Sequence, residues 1–529
     1  MSPRKRAVNL ADLLRQTARR LPGHTAVVHG STRWTWRELD ERVDALVAEL
    51  GRRGVVAGDC VMLDSPNHPE FIQAMFATWR AGAVLAPTNS RLHDDDIVVI
   101  AGVCRPVVLI GHESTASHAS AVETALGLSG GVLRIDASGA DSIAALDPAQ
   151  ASAPVTTWEG DPAWYFFTSG TSGAPKAAVL THDQLGFVIT NHLADLMPTT
   201  DEHDASLVVA PLSHGAGMHL LPQVVRGAAT VLPASVSLDP DEVWSLVASE
   251  RITNAFTVPT ILKVLVDHPS VELHDHSSLQ YVIYAGAPMY ATDQERARRL
   301  LGDVLVQYYG LAEVTGNITA LRSAEHGRPV PEGLAAGTCG HARTGMLVSV
   351  QDDTGTEVPA GEIGELCVAG PAVFAGYLDN PDADAKAFRD GWFRTGDLGV
   401  MDADGYVYVT GRSSDMYISG GSNVHPRDIE EKILKHDAVD EVAVLGVPDP
   451  KWGEIGVAIC VLREGSTVTA EELTSWLGER MARYKLPRHI LFWDALPKSG
   501  YGKIVKRTIR DELADREWGP YAKQLEGAS

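Results

Sequence analysis

Phe166-Phe167-Thr168-Ser169-Gly170-Thr171-Ser172-Gly173-Ala174-Pro175-Lys176, or FFTSGTSGAPK, places four hydroxyls, several small residues and a lysine directly after two aromatics. Small residues let backbone N–H groups turn inward and approach an anion. Thr168, Ser169, Thr171 and Ser172 add hydroxyl donors, and Lys176 adds a mobile positive charge. The plainer alternative is a solvent-exposed Gly/Ser turn. The usual P-loop is excluded, because it needs Gly-Lys-Ser/Thr opening a helix, and Ala177 and Ala178 follow Lys176 here. Trp164 to Phe167 reads as one strand and Ala177 to Leu180 as a second. Thr181 and Gln184 then form a capping-box pattern. The candidate phosphate loop therefore joins two strands.

Outward from this stretch, residues 25 to 110 alternate short strands (Ala26 to His29, Cys60 to Leu63, Val84 to Pro87) with helical segments such as Glu70 to Arg80. Val107 to Ile110, Ser206 to Ala210, Thr230 to Leu232 and Tyr281 to Tyr284 continue the series. This is α/β punctuation. Residues 111 to 160, richer in Ala, Ser and Gly, read as a surface wrap without chemistry. After about residue 340 the strands become short and dense, separated by Gly/Asp turns, which predicts a β-rich subdomain. Beyond Gly411 the rhythm changes again. The helix Pro426 to Lys435, the strands Val442 to Val447 and Ile455 to Val461, the helix Glu471 to Met481 and the strand His489 to Trp493 predict a small α+β unit. The expected organisation is a large, multi-subdomain α/β unit over 1–410, a hinge at 411–414, and a small mobile α+β domain over 415–529.

The chain has 529 residues, too many for one ordinary domain, and 45% of them are hydrophobic, enough for several buried cores. A net charge of −23 argues against a broad nucleic-acid surface while allowing a local basic site for a small anion. The five cysteines, Cys60, Cys104, Cys339, Cys367 and Cys460, form no CxxC pair and read as reduced structural thiols rather than a zinc cluster. No apolar signal core follows the basic MSPRKR start, and Asn9 to Arg20 reads as an amphipathic packing helix. No run is long enough to span a bilayer. The expectation is a cytoplasmic protein with no nucleic-acid partner and its oligomeric state open.

Four further segments carry more polar chemistry than loops need. In Gln307-Tyr308-Tyr309-Gly310-Leu311-Ala312-Glu313, an aromatic beside a glycine can wall a flat ring and Glu313 can hold Mg²⁺. In Gly391-Trp392-Phe393-Arg394-Thr395-Gly396-Asp397, the carboxylate of Asp397 can grip vicinal hydroxyls. Gly411-Arg412-Ser413-Ser414-Asp415 lies at the proposed junction. Pro497-Lys498-Ser499-Gly500-Tyr501-Gly502-Lys503 is a lysine-bearing loop near the C-terminus.

Together these motifs resemble the adenylate-forming enzymes, the superfamily of acyl-CoA synthetases, stand-alone adenylation domains and beetle luciferases, from the first helix to Lys503. The resemblance implies that Thr168, Ser169, Gly170, Thr171, Ser172, Gly173 and Lys176 embrace the β- and γ-phosphates of ATP. It places Gly286, Ala287 and Pro288 beside the adenine and Tyr309 stacked on it. It makes Glu313 the Mg²⁺ ligand, Asp397 the ribose-hydroxyl acceptor, Arg412 a ribose or phosphate contact and Lys503 the catalytic lysine. His214, in Pro211-Leu212-Ser213-His214-Gly215, resembles the histidine that gates the acyl site. Ser419, Gly420 and Gly421 resemble the glycine segment along the CoA pantetheine tunnel, and Ser414 the hinge. Ala312 departs from the Thr or Ser of many members, and Ser414 from Asp or Lys.

The implied activity is that of an ATP-dependent, AMP-forming ligase joining an organic mono-acid to CoA. The alternatives are a non-CoA acceptor, such as a carrier-protein phosphopantetheine or an unusual amine or inorganic partner, and an inactive nucleotide-binding scaffold. Gly286, Gly310 and Gly316 are expected to leave room for the acyl tail. The absence of a waiting cation in the segments Met218 to Leu221 and Asn254 to Pro259 favours an apolar aryl, enoyl or medium-chain acid.

Overall fold

Strands Cys60–Asp64, Val84–Thr88 and Val108–His112 are buried along their whole length, the mark of parallel strands covered on both faces. A computed structural model describes residues 5–139, 141–147, 154–169, 175–332, 334, 336–419, 422–499 and 503–515. Among these residues the three strands belong to a six-stranded sheet in the order 132–135, 108–112, 60–64, 84–88, 162–169 and 175–181. A second sheet has nine strands, running from 341–342 through 319–321, 305–309, 281–284, 254–257, 205–208, 229–232 and 25–29 to 32–35. The helix Pro69–Arg80 has every residue buried. Its Arg80 is buried with two carboxylates, 2.5 Å from Asp40 and 2.7 Å from Asp44. One continuous core joins Leu14, Trp79, Trp164, Phe166, Leu221 and Phe256 from both sheets.

The β-rich subdomain is a five-stranded antiparallel sheet around Trp392–Met401. The C-terminal unit carries its own mixed sheet and its own apolar clusters. The protein is thus a large mixed α/β part with several sheets and a smaller α+β part. They meet through Tyr290, which packs against the C-terminal core, and through Lys263, whose Nζ lies 3.0 Å from Asp440. The helix Ala11–Arg20 buries Leu14 and Ala18 against the core, as a packing helix should. All five cysteines are buried and unbridged. No helix among the described residues is long and apolar enough to cross a membrane.

Residues 111 to 160 correct the sequence reading. They contribute the helix Ala116–Leu126 and the strand Val132–Ile135, which pairs with Val108–His112 as the sheet edge. Their Ala-rich composition hid a four-residue strand too short to register as a pattern.

Candidate functional site

The opening stretch forms the hairpin its composition predicts. Strands Pro162–Ser169 and Pro175–Thr181 pair antiparallel, with Thr168 opposite Lys176 and Ser169 opposite Pro175. Thr181 and Gln184 complete the capping box of the following helix. Gly170, Thr171, Ser172 and Gly173 lie outside the described residues. Lys176 extends over the ring of Tyr377, with Nζ 5.1 Å from its centroid. The Tyr377 hydroxyl donates to Glu313 Oε1 at 2.9 Å, so one tyrosine links the hairpin lysine to the acid. Glu313 is 9% exposed, in a single helical turn just beyond the strand Leu305–Tyr309.

That same strand ends in Tyr309, whose hydroxyl donates to Asp397 Oδ2 at 2.6 Å. The other oxygen of Asp397 is 3.0 Å from Arg412 Nε. Asp397 and Arg412 are register partners on neighbouring antiparallel strands, so the sheet itself fixes the pair. Burial raises the Asp397 carboxyl pKa, opposed by Arg412, Tyr309 and Lys503.

Lys503 arrives from the C-terminal unit. A Cβ built on Gly286 would stand 3.8 Å from Lys503 Cε and 3.7 Å from Val258 Cγ1. Gly286 has φ +86°, a conformation that suits glycine, and forms a lip with Ala287 and Pro288 after the strand Tyr281–Tyr284. By residue area Lys503 is open to the cleft. The protein crowded around it still lowers its pKa, through desolvation first and Arg412 second, against the pull of Asp397 and Glu313. Its loop is braced by Ser499, whose N–H donates to Lys503 O at 2.7 Å.

His214 packs against Phe166, with ring centroids 4.6 Å apart, and its Nδ1 lies 2.8 Å from Ser213 O. Burial pushes its pKa down to about 3, with a smaller contribution from Lys503, so the ring is neutral at ordinary pH. Gly215 is required by Phe256: a Cβ there would fall 2.5 Å from the ring. Phe256 stacks on Tyr308 at 5.8 Å. Beside it, His219 and Gln223 meet at Asn254 Oδ1, each at 2.9 Å.

The structure therefore brings together Thr168, Lys176, Glu313, Tyr309, Asp397, Arg412, Gly286, Lys503 and His214. It does not bring Ser419 to them. Ser419 pairs with Ser422 and Gly453 inside the C-terminal sheet, and Gly420 and Gly421 lie outside the described residues. Ser414 is in a turn directly after the strand Val407–Arg412.

The reading of the glycines as tail space needs correction. A Cβ on Gly310 would meet the Gly316 backbone at 2.3 Å, and one on Gly316 would meet the Tyr308 ring at 2.5 Å. These two glycines serve close packing, and at Gly286 a Cβ would reach van der Waals contact with Val258 and Lys503 without a clash. Sequence reasoning also missed Tyr377, which follows Gly376 directly, and the buried polar pair His219 and Gln223, which sit among apolar residues of the helix Gly215–Arg226 and meet Asn254.

Comparison with known proteins agrees with this geometry. Residues 14–378 match the model of the AMP-binding enzyme family, and residues 428–503 match its C-terminal domain. A feruloyl-CoA synthase from an Amycolatopsis species is 38% identical over 498 residues, covering 93% of this chain and 96% of its own. The structure of ATP-bound MatB from Rhodopseudomonas palustris superposes with TM-score 0.85 at 29% identity, covering 96% of this chain and 99% of that one. The amide bond synthetase McbA from Marinactinospora thermotolerans gives TM-score 0.85 at 26% identity, over 96% and 100%. With both halves matched in order and a lysine of the second half standing at the lip of the first, this chain belongs to the AMP-binding enzyme family and has the architecture of an acid-activating, adenylate-forming enzyme.

Proposed function

We propose that this enzyme is a carboxylate–CoA ligase that consumes ATP, releases AMP and acts on an organic mono-acid. The observation that carries the reading is Lys503, brought by the C-terminal unit to Gly286 and within electrostatic reach of Asp397 and Glu313. In this reading a substrate carboxylate oxygen attacks the α-phosphorus of ATP, the bond to the bridging oxygen breaks, and pyrophosphate leaves. The attacking acid is already ionised near neutral pH, so no general base is required. Lys503 offsets negative charge developing at the α-phosphoryl group, and its placement when the C-terminal unit is docked supplies alignment. Asp397 accepts from the ribose hydroxyls, Tyr309 lines the adenine, and Thr168 and Lys176 hold the outer phosphates with the connecting loop.

Glu313 fits Mg²⁺: it is a largely buried carboxylate, an oxygen donor of the kind that cation prefers. When bound there, Mg²⁺ would neutralise phosphate charge. In the second half-reaction the CoA sulfur attacks the acyl carbon and AMP leaves. Ser419 stands away from the centre in this pose, so thiol access along 419–421 calls for rotation of the residues after 415 about Ser414. His214, neutral and stacked on Phe166, would border the acyl group at the mouth of that path.

An apolar aryl, enoyl or medium-chain acid suits the Phe166, Phe256 and Met218 surroundings, and the similarity to a feruloyl-CoA synthase supports an aryl body. A second reading, transfer to an amine or a carrier-protein thiol, is favoured by the equal structural likeness to an amide bond synthetase. One screen decides between them. AMP release is measured over benzoates, cinnamates, straight-chain acids, dicarboxylates and amino acids, with CoA, holo carrier protein or an amine as acceptor. CoA-stimulated turnover with thioester product is expected. Persistent acyl-AMP in the presence of CoA, discharged only by amine or carrier, would overturn the first reading.

A further inference from the structure

The carboxyl ends of strands from the two large sheets meet: His29 ends Thr25–His29 of the nine-stranded sheet, while in the six-stranded sheet His112 ends Val108–His112 and Asp136 follows Val132–Ile135. His68 joins them from the start of the helix Pro69–Arg80. Ligand crevices of open α/β sheets lie outside strand carboxyl ends. One nitrogen each of His68 and His112 and one oxygen of Asp136 lie within 4.8 Å of one another. His112 Nε2 is 3.6 Å from Asp136 Oδ2. The His29 and His68 rings are 5.4 Å apart, and the His68 and His112 rings 5.5 Å apart.

Each ring has its Nδ1 engaged locally, and His112 Nε2 faces Asp136. His29 Nδ1 is 3.4 Å from Leu232 O. His112 Nδ1 is 2.8 Å from Ser114 Oγ, and His68 Nδ1 is 3.8 Å from a Glu70 carboxylate oxygen. Of these oxygens, Ser114 Oγ and Leu232 O lie within hydrogen-bond reach and can accept from the Nδ1–H tautomer of a ligating imidazole, whereas the Glu70 carboxylate is beyond it. Adopting that tautomer on His68 and His112 gives up two cap bonds, from the N–H groups of Glu70 and Ser114. Asp136 has φ +52°, unusual for a residue with a side chain, and its N–H is pinned to Glu70 Oε2 at 3.0 Å. The Asp136 side chain is 66% exposed and the His68 side chain 17% exposed, so an ion has a route in.

We propose that His68, His112 and Asp136 form a binding site for a transition-metal dication of the zinc class, with His29 as its flanking imidazole. Two imidazoles and a carboxylate suit zinc, cobalt or nickel, whereas magnesium and calcium prefer oxygen-only shells. Ligand atoms on tetrahedral zinc stand roughly 3.3 Å apart at bond lengths of about 2.0–2.1 Å, so binding draws the group inward, chiefly through the exposed Asp136 side chain. The ion would tie the sheet-edge loop to the helix start, so its first consequence is structural.

The test uses the full chain, stripped with chelator, without nucleotide. Titration with Co²⁺ should give one equivalent of visible absorption, displaced by Zn²⁺, and Zn²⁺ should raise the melting temperature. Asp136→Asn tolerates the left-handed backbone, and His68→Asn keeps an oxygen to cap the helix. Each, like His112→Asn, should weaken Co²⁺ binding by more than about tenfold, while Glu313→Gln should leave it unchanged. Absence of the absorption band, or its survival in the D136N/H112N double variant, would overturn the proposal. Circular dichroism confirms folding, and D136N, altered only in an exposed loop side chain, decides the matter should a histidine variant unfold.

Discussion

The two sides of the cleft are built on opposite plans. On the large part, Asp397 is held at both oxygens, by Tyr309 and Arg412, and sheet register fixes the pair. Glu313 is likewise held by Tyr377. On the other side, Lys503 stands on a loop braced by Ser499, carried by a unit docked through Tyr290 and the Lys263–Asp440 pair. One wall is preset and the other is delivered. Preorganised groups cost no reorganisation when charge develops, whereas a delivered group can be withdrawn for a second reaction.

The strongest way to break this contrast is Lys503→Ala. Acid-dependent pyrophosphate exchange should fall by about 10²–10³-fold, the range for losing one donor aimed at developing charge. Thioester formation from supplied acyl-AMP should suffer far less, and equal losses in the two assays would end the idea of a lysine delivered for one step. Next in size, Asp397→Ala should cost about 1.5–3 kcal/mol in kcat/KM for ATP, the range for a hydrogen bond to a charged group. The penalty should shrink with 2′,3′-dideoxy-ATP, and an unchanged penalty would remove Asp397 from the ribose.

Tyr309→Phe sharpens the preset side. It deletes a donor that favours the charged carboxylate and should cost about 0.5–1.5 kcal/mol. Burial already raises the Asp397 pKa. Ribose binding needs the ionised form, so activity is present above that pKa and lost as pH falls through it. Without the Tyr309 hydroxyl the pKa rises further, and the acid limb of the pH profile should move to higher pH. A limb that stays put or moves down would contradict the linkage. The smallest effect is expected from Lys263→Ala. Its pair with Asp440 is partly solvated, with side chains 21% and 29% exposed, and such pairs contribute about 0–1 kcal/mol. Fluorescence transfer between labels on the two parts should report a modest population shift, and complete undocking would mean that Tyr290 packing is not the main tether.

Much of this was legible in the chain. The strands Cys60–Asp64 and Val84–Thr88 open with continuous apolar runs, Cys60 to Leu63 and Val84 to Pro87, and the Thr181/Gln184 cap marks a helix start whatever its surroundings. The residues of the cleft carry local signatures, because turns around phosphates and hydroxyls need glycines, hydroxyls and isolated charges at fixed spacing. Tyr377, His219 and the His68/His112/Asp136 group carry none. Each acts through a neighbour far away in sequence.

The sequence by itself determined the α/β character and the presence of a smaller α+β part, since these follow from local periodicity, and its motifs named candidate residues for ATP through their resemblance to the adenylate-forming enzymes. Only the tertiary structure decided that Tyr309 restrains Asp397, that Gly310 and Gly316 are consumed by packing, that Lys503 stands in the cleft while Ser419 does not, and that three strand ends gather imidazoles beside a carboxylate. Apart from the glycine packing, these are relations between segments tens to hundreds of residues apart. Burial and strand pairing set such distances, and no one-dimensional pattern contains them.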